Sequence, residues 1–241
     1  MILFLNKKYK MNKETYRNMQ VNEYNKYSVT YDSCKDKCVG NWEVHELYPY
    51  GEYLLENYNG KFDKALDFGC GMGRMIKRML TKFKQVDGAD LISKNLEHGV
   101  KYLEGNLDKV KLYQTDGLSC SIDSGNYDFV YSTICIQHIC VHETRYNIIN
   151  DFYNLLNETG EICIQVGFGW DNGNHWLHNT YNVNSTNAGN DFTIPNESHF
   201  EFIEKDLKKI GFNTIHFTIK ESPHPNILNY HPKWLFIHGK K

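Results

Sequence analysis

Long hydrophobic runs are missing from this 241-residue chain. None approaches the roughly 20 apolar residues that a membrane span needs. The opening MILFLNKKYK is apolar for five residues and carries its charge on the wrong side for a signal peptide, and either Met1 or Met11 can serve as the start. An excess of charge is missing too. The 27 Lys and Arg stand against 29 Asp and Glu, a formal net charge of −2, which argues against bulk electrostatic attachment to nucleic acid or anionic lipid. A zinc-type cysteine framework is absent. The seven cysteines (Cys34, Cys38, Cys70, Cys120, Cys135, Cys140, Cys163) are odd in number and several sit in apolar runs, the pattern of reduced, buried thiols in a cytoplasmic protein. Cys34 and Cys38 can share a helix face, but no second pair completes a metal site. Two phosphate-binding signatures are absent as well. The glycines run Gly69, Gly71, Gly73, and Arg74 stands where the dinucleotide fingerprint needs its third glycine. No Gly-Lys-Ser/Thr of a P-loop follows.

What is present is one sizeable α/β domain with an ordinary hydrophobic content of 41%. Residues 1–60, polar and Tyr-rich with helical stretches such as EVHELYPYGEYLLENY, read as an N-terminal helical extension or lid on a domain spanning 61–241. From residue 64 strands and helices alternate: KALDFG, then a helix burying Met75, Ile76, Met79, Leu80 and Phe83, then KQVDGAD. Ser93 is placed to cap a helix with Leu96, Val100 and Leu103 inward and Gly105 at its end. KVKLYQTD and YDFVYST are further strands. A helix over ETRYNIINDFYNLL, a turn NETG and a strand EICIQVGF follow. The Asn-, Gly- and aromatic-rich stretch 169–196 reads as either a long functional loop or a disordered one. A capping box of Ser198 and Glu201 opens a helix with Ile203, Leu207 and Ile210 inward and Gly211 at its end. Two strands, FNTIHFTIK and WLFIHGK, are joined without a helix, which predicts antiparallel pairing and a last strand running against an otherwise parallel sheet.

A strand that feeds a helix through glycines lets a ligand approach bare backbone at a helix N-terminus. Here Asp67 precedes the bend and Asp90 and Asp116 end the next two strands. An acid beside the bend repels phosphate and welcomes an ammonium or sulfonium; an acid at the neighbouring strand end suits a ribose diol. Three acids at successive strand ends describe a pocket for an uncharged nucleoside attached to a cationic amino acid.

The succession LDFGCGMGR, GADL, TDG, YDFVYSTICIQHI and LNETGEICIQ resembles the motifs of class I S-adenosylmethionine-dependent methyltransferases, closely over residues 62–168. The resemblance implies a Rossmann-like α/β fold: a seven-stranded mostly parallel sheet with helices on both faces and a reversed last strand. It implies S-adenosyl-L-methionine as cofactor, with S-adenosyl-L-homocysteine as product. It assigns Asp67, Gly69, Cys70, Gly71 and Gly73 to the methionine part, Asp90 and Leu91 to ribose and adenine, Asp116 and Gly117 to the adenine border, and Ser132 and Thr133 to the pocket floor.

Methyl transfer is an in-line displacement dominated by alignment. A hydroxyl acceptor also needs a base, and His138, just after the fourth strand, is the candidate; the alternative is a capping histidine, with its neighbour Gln137 touching the cofactor. A metal on His138 and His142 lacks a third ligand. The sheet edge that holds the cofactor also receives the loops after the fifth and sixth strands, so Trp170, His175, Trp176, His178, Tyr181, His224, Tyr230 and His231 are candidate acceptor contacts, with Tyr27, Tyr31 and Trp42 from the N-terminal segment. Aromatics beside Asn and His suit a polar acceptor with an apolar face, a sugar or sugar nucleotide first. They serve equally to pack loops down. N-methylation of a small metabolite, RNA methylation and a non-catalytic cofactor-binding subunit are the alternatives. Nucleobase amine methylation is disfavoured, since STIC occupies the place of an Asn/Asp-Pro-Pro-aromatic signature.

Overall fold

β1, Lys64–Phe68, divides the molecule in two. Successive strand side chains point to opposite faces, so Leu66 and Phe68 join one hydrophobic cluster while Ala65 joins the other. The structure is a computed structural model that describes residues 13–40, 49–122, 126–179, 192–222 and 231–241. The other strands are β2 (Gln85–Asp90), β3 (Leu112–Gln114), β4 (Tyr127–Thr133), β5 (Leu156–Phe168), β6 (Thr214–Glu221) and β7 (Lys233–Lys240), in the spatial order β3-β2-β1-β4-β5-β7-β6. β7 is antiparallel to β5 and β6, and every other pair is parallel. This is the expected seven-stranded sheet with its reversed last strand.

Helices cover both faces. α6 (His142–Leu155) and α7 (Phe200–Ile210) bury Ile148, Ile149, Phe152, Ile203 and Leu207 on one. α3 (Tyr50–Leu55), α4 (Arg74–Met79) and α5 (Ser93–Tyr102) bury Leu54, Met75, Ile76, Met79 and Leu96 on the other. α3 is thus part of the main core, with Tyr50 edge-on to Trp234 at 6.3 Å between ring centroids. α1 (Lys13–Asn25) and α2 (Tyr31–Cys38) make two satellite clusters instead: Tyr16 with Cys140 and Val141, and Cys34 and Val39 with Met72. The chain leaves β1 toward β2 on one side and later returns to β4 on the other. Such a reversal is where sheets of this kind form a crevice at the carboxyl edge, and both satellite clusters lie there.

Several local expectations are corrected. Ser93 caps nothing and lies exposed; the Asp90 carboxylate takes the Ile92 N–H at the start of α5, two residues earlier. Val100 is exposed because α5 turns only Asn95, Leu96 and Gly99 fully inward. The Ser198 capping box does not form, since Asn196 accepts from the Ser198 N–H and hydroxyl one turn ahead of α7. NETG lies within β5, where the register jumps from Tyr127↔Leu156 to Phe129↔Glu161. Its turn survives as a bulge in which the Asn157 side chain accepts from the Thr159 N–H at 3.0 Å.

Candidate active site at the carboxyl edge

The bend after β1 is built by backbone that only glycine tolerates. Gly69 and Gly71 sit at φ +77° and +57°, in the left-handed region. A Cβ on Gly69 would lie 2.1 Å from the Cys135 sulfur, and one on Gly71 would lie 3.2 Å from the Cys38 sulfur. The Gly69 and Cys70 N–H groups both donate to the Ala89 carbonyl, at 2.7 and 3.1 Å, tying the bend to β2. Gly73 precedes α4 and packs against Leu103, so the close approach falls one position earlier than in a dinucleotide fingerprint.

Asp67 shares the Ala65 face of β1 and is only 1% exposed. Its Oδ1 has no hydrogen-bond partner among the described residues. Burial pushes its carboxyl up to about 8; the Arg74 guanidinium opposes this and Asp90 adds to it. Asp90 is also buried, and burial raises it to about 6 against the pull of three donors. Those donors are the Gly71 N–H at 2.8 Å, the Ile92 N–H at 2.8 Å and the Asn95 amide at 3.1 Å. Two acids beside one bend, one with an unpartnered oxygen among the described residues, are a candidate seat for a cation.

The other predicted pocket residues gather around this seat in different roles. Leu91 packs over Gly117, where an added Cβ would meet its side chain at 3.0 Å. Asp116 shapes its own turn: Oδ1 accepts from the N–H groups of Leu118 and Ser119, both at 2.8 Å, and from the Ser119 hydroxyl. Partial burial raises this carboxyl, but those donors outweigh it and hold it below the usual range. Ser132 donates to the Phe68 carbonyl at 2.9 Å, stapling β4 to the end of β1, and Thr133 is buried beside it. Cys70 is buried, and its thiol is pushed well up by burial.

His138 ends a 3₁₀ turn, Ile136–His138, directly under α1. Its carbonyl accepts from Gln20 at 3.1 Å and Tyr16 at 3.4 Å, and its half-buried ring lies 6.1 Å from that of Tyr24. Tyr16 also accepts the Cys140 N–H at 2.8 Å, while Arg17 donates to the Asp116 carbonyl. α1 therefore spans the edges of β3 and β4. Gln137 accepts the Gly167 N–H at 3.0 Å and so holds the 3₁₀ turn to β5. His142 bonds Asp206 at 2.6 Å, away from His138. Among the described residues no group of three or more His, Cys, Asp or Glu is arranged to hold a metal ion.

The expected acceptor rim divides. Trp170 is half-exposed at 48%. Trp176 is 1% exposed, its indole N–H donating to Asp206 at 2.7 Å and its ring edge-on to Phe192. His231 is buried against Gly167, with ring centroids 6.0 Å from Trp170 and 5.4 Å from Trp234. His175 lies 4.9 Å from His199, and the His178 carbonyl accepts the His142 N–H at 2.9 Å. Tyr27 and Tyr31 lie under Lys37 and Lys101 respectively. Tyr181, His224, Tyr230 and Trp42 lie outside the described residues.

Two important residues escaped the sequence reading. Arg145 is fully buried and donates to the carbonyls of Ile139, Trp176 and His178 while lying 4.1 Å over the Phe192 ring. Burial lowers its guanidinium to about 10. Its signal was a cation on the apolar stripe with Ile148, Ile149 and Phe152. The other is Asn95, at a buried position of α5.

Residues 65–160 match the family model described as a methyltransferase domain. A stretch of 109 residues, 43% of this chain, is 32% identical to phosphoethanolamine N-methyltransferase 2 of Caenorhabditis elegans and covers 24% of that protein. Haemonchus contortus phosphoethanolamine N-methyltransferase 1, solved with phosphoethanolamine and S-adenosylhomocysteine, superposes with a TM-score of 0.65 at 13% identity over 95% of this chain and 50% of that one. Burkholderia thailandensis 1,6-didemethyltoxoflavin-N1-methyltransferase, solved with 1,6-didemethyltoxoflavin and S-adenosylhomocysteine, gives 0.67 at 15% identity over 96% and 91%. These likenesses to solved structures establish the fold. The chain spans about a quarter of the curated relative it matches and half of the Haemonchus chain.

Proposed function

We propose that this chain, whose residues 65–160 form a class I S-adenosylmethionine-dependent methyltransferase domain, methylates a nitrogen atom of a small polar molecule. The observation that carries the reading is Asp67, a buried carboxyl group with an oxygen unpartnered among the described residues, beside a glycine bend at the carboxyl edge of the sheet. A buried acid without a donor is costly in the ligand-free protein. A bound cation repays that cost, and S-adenosylmethionine carries both an ammonium and a sulfonium.

The residues fit that cofactor. Asp67 and the Gly69–Gly73 bend suit its amino-acid part, Asp90 its ribose, and the Leu91–Gly117 ledge its adenine. When bound, it supplies an electrophilic methyl on sulfur, which departs as a neutral thioether while the acceptor's lone pair forms the new bond. The chain's own part is to orient and to exclude water. α1 and α2 lie across the crevice for that purpose. An amine that enters protonated must lose its proton before it attacks. His138 is our candidate to receive it, half-buried beneath α1 with its backbone held by Gln20.

Nitrogen is preferred because the phosphoethanolamine and toxoflavin enzymes named above are N-methyltransferases. A sugar would need exposed aromatic faces. With Trp176 and His231 buried, Trp170 supplies most of what the described residues offer. The test is product formation. The protein is incubated with S-adenosylmethionine and either phosphoethanolamine, a panel of small amines or a set of sugar nucleotides, and products are read by mass spectrometry. Singly methylated amine is expected. Methylation confined to sugar hydroxyls would overturn the choice of nitrogen, and no turnover by protein that binds the cofactor would favour a non-catalytic subunit.

A further inference from the structure

We infer that Asn95 is a positioning residue that couples the N-terminal helices to Asp90, so that closure over the cofactor and orientation of the ribose-binding carboxylate are one event. The inference rests on the cofactor reading above. Asn95 is buried in the first turns of α5. Its Oδ1 accepts from the hydroxyl of Ser28, in the link between α1 and α2, and from the thiol of Cys34 in α2 at 3.3 Å. Its Nδ2 donates to Asp90 Oδ1 at 3.1 Å, and Asp90 Oδ2 accepts the Gly71 N–H at 2.8 Å. An unbroken path of hydrogen bonds therefore runs from the N-terminal segment to the glycine bend.

The chemistry of the path fixes its sense. A hydroxyl and a thiol can both donate to the amide oxygen, which leaves the NH₂ to face the carboxylate. A flipped amide would set its carbonyl against Asp90. An apolar side chain would leave both ends unsatisfied, and an aspartate would serve Ser28 and Cys34 but set a second carboxylate against the first. The same segment is held to α5 by His98, whose Nε2 lies 3.1 Å from the Ser28 carbonyl, and by Lys101 over the Tyr31 ring at 4.3 Å. α2 lies close above the bend, with the Cys38 sulfur 3.2 Å from where a Gly71 Cβ would stand. A cofactor reaches the seat only when α2 lifts. Lifting removes both donors from Asn95 and frees its amide to turn away from Asp90. Reclosure restores the donors and the carboxylate's position together.

The experiment follows alkylation of Cys34, which is fully buried and reacts only when α2 opens. Mass spectrometry reads the rate with and without S-adenosylhomocysteine. Binding beneath closed α2 is expected to slow alkylation about a hundredfold in the wild type at 100 times Kd. In Asn95→Ala and Asn95→Asp, each at 100 times its own Kd, the slowing is expected to fall below about threefold, the coupling being lost. Ser28→Ala cuts only the lid side, and its protection is expected to fall between these limits; it decides the question if the Asn95 variants fail to fold. Full protection in the variants would assign Asn95 a purely structural role and overturn the inference. Unchanged alkylation in a wild type that binds the ligand would overturn it as well. A folded wild type that binds no S-adenosylhomocysteine would instead overturn the cofactor reading and this inference with it.

Discussion

Two regions of the same sheet edge handle their acids in different ways. At the end of β1, Asp67 is buried with an oxygen that has no hydrogen-bond partner among the described residues. At the start of α6, polar groups are shared: one Asp206 oxygen serves both His142 and Trp176, and the terminal nitrogens of Arg145 serve three carbonyls, while its Nε and His175 Nδ1 have no hydrogen-bond partner among the described residues. The first arrangement stores a need that a cation can meet. The second holds the chain after β5 against α6 and α7. The histidines and tryptophan after β5 therefore form a clasp, while Asp67, an acid with an unpartnered oxygen among the described residues, is the proposed seat.

That contrast can be broken from either side. The largest effect belongs to the clasp. Arg145→Leu removes three hydrogen bonds to buried and part-buried carbonyls and is expected to cost on the order of 3 kcal/mol of stability in a urea titration. A loss under about 1 kcal/mol would deny the clasp its role. Next comes the candidate base. His138→Ala is expected to lower kcat by about 100-fold or more while leaving the S-adenosylhomocysteine Kd within about threefold. Unchanged kcat would remove His138 from the chemistry.

At the seat, Asp67→Asn is expected to weaken S-adenosylmethionine binding by about tenfold, near 1.4 kcal/mol. It should leave the ligand-free protein as stable or more so, since an unpaired buried acid is removed. An Asn variant that binds as tightly as the wild type would strip Asp67 of its role. A pH titration of stability reads a separate effect elsewhere. His238 in β7 is buried beside Cys163, and burial lowers it to about 4. Its folded pKa lies below its unfolded one, so the unfolded chain takes the proton first. Stability is then lost as pH falls from about 6.5 toward 4, by up to about 1.4 kcal/mol per pH unit. The raised carboxyls of Asp67 and Asp90 act with the opposite sign, contributing stability that is lost as pH rises above about 4. His238→Leu should flatten the acid limb and leave the other untouched.

The sequence makes the seat legible and the clasp opaque, for a physical reason. β1 and β4 are short apolar runs between turn residues, the glycine order is local, and the helix-free last connection predicts the reversed strand. Trp176 reads as a surface aromatic among Asn and Gly because its partner Asp206 lies 30 residues away, on a helix whose placement no local pattern reveals. Asn95 is hidden likewise, since an amide on a helix reads as polar surface until Ser28, 67 residues earlier, is brought against it. Ser93 and Ser198 show the limit of local rules: each is a sound cap, and each is displaced by a neighbour already bonded to the backbone.

Calorimetric titration of the folded protein with S-adenosylmethionine at pH 7, repeated in two buffers of different ionisation enthalpy, tests the seat most directly. With Asp67 raised to about 8 in the free protein, a bound cation should draw it into its charged form. The account predicts saturable binding accompanied by proton release that disappears in Asp67→Asn. Absence of binding heat, or binding with the same proton exchange in both proteins, would contradict it.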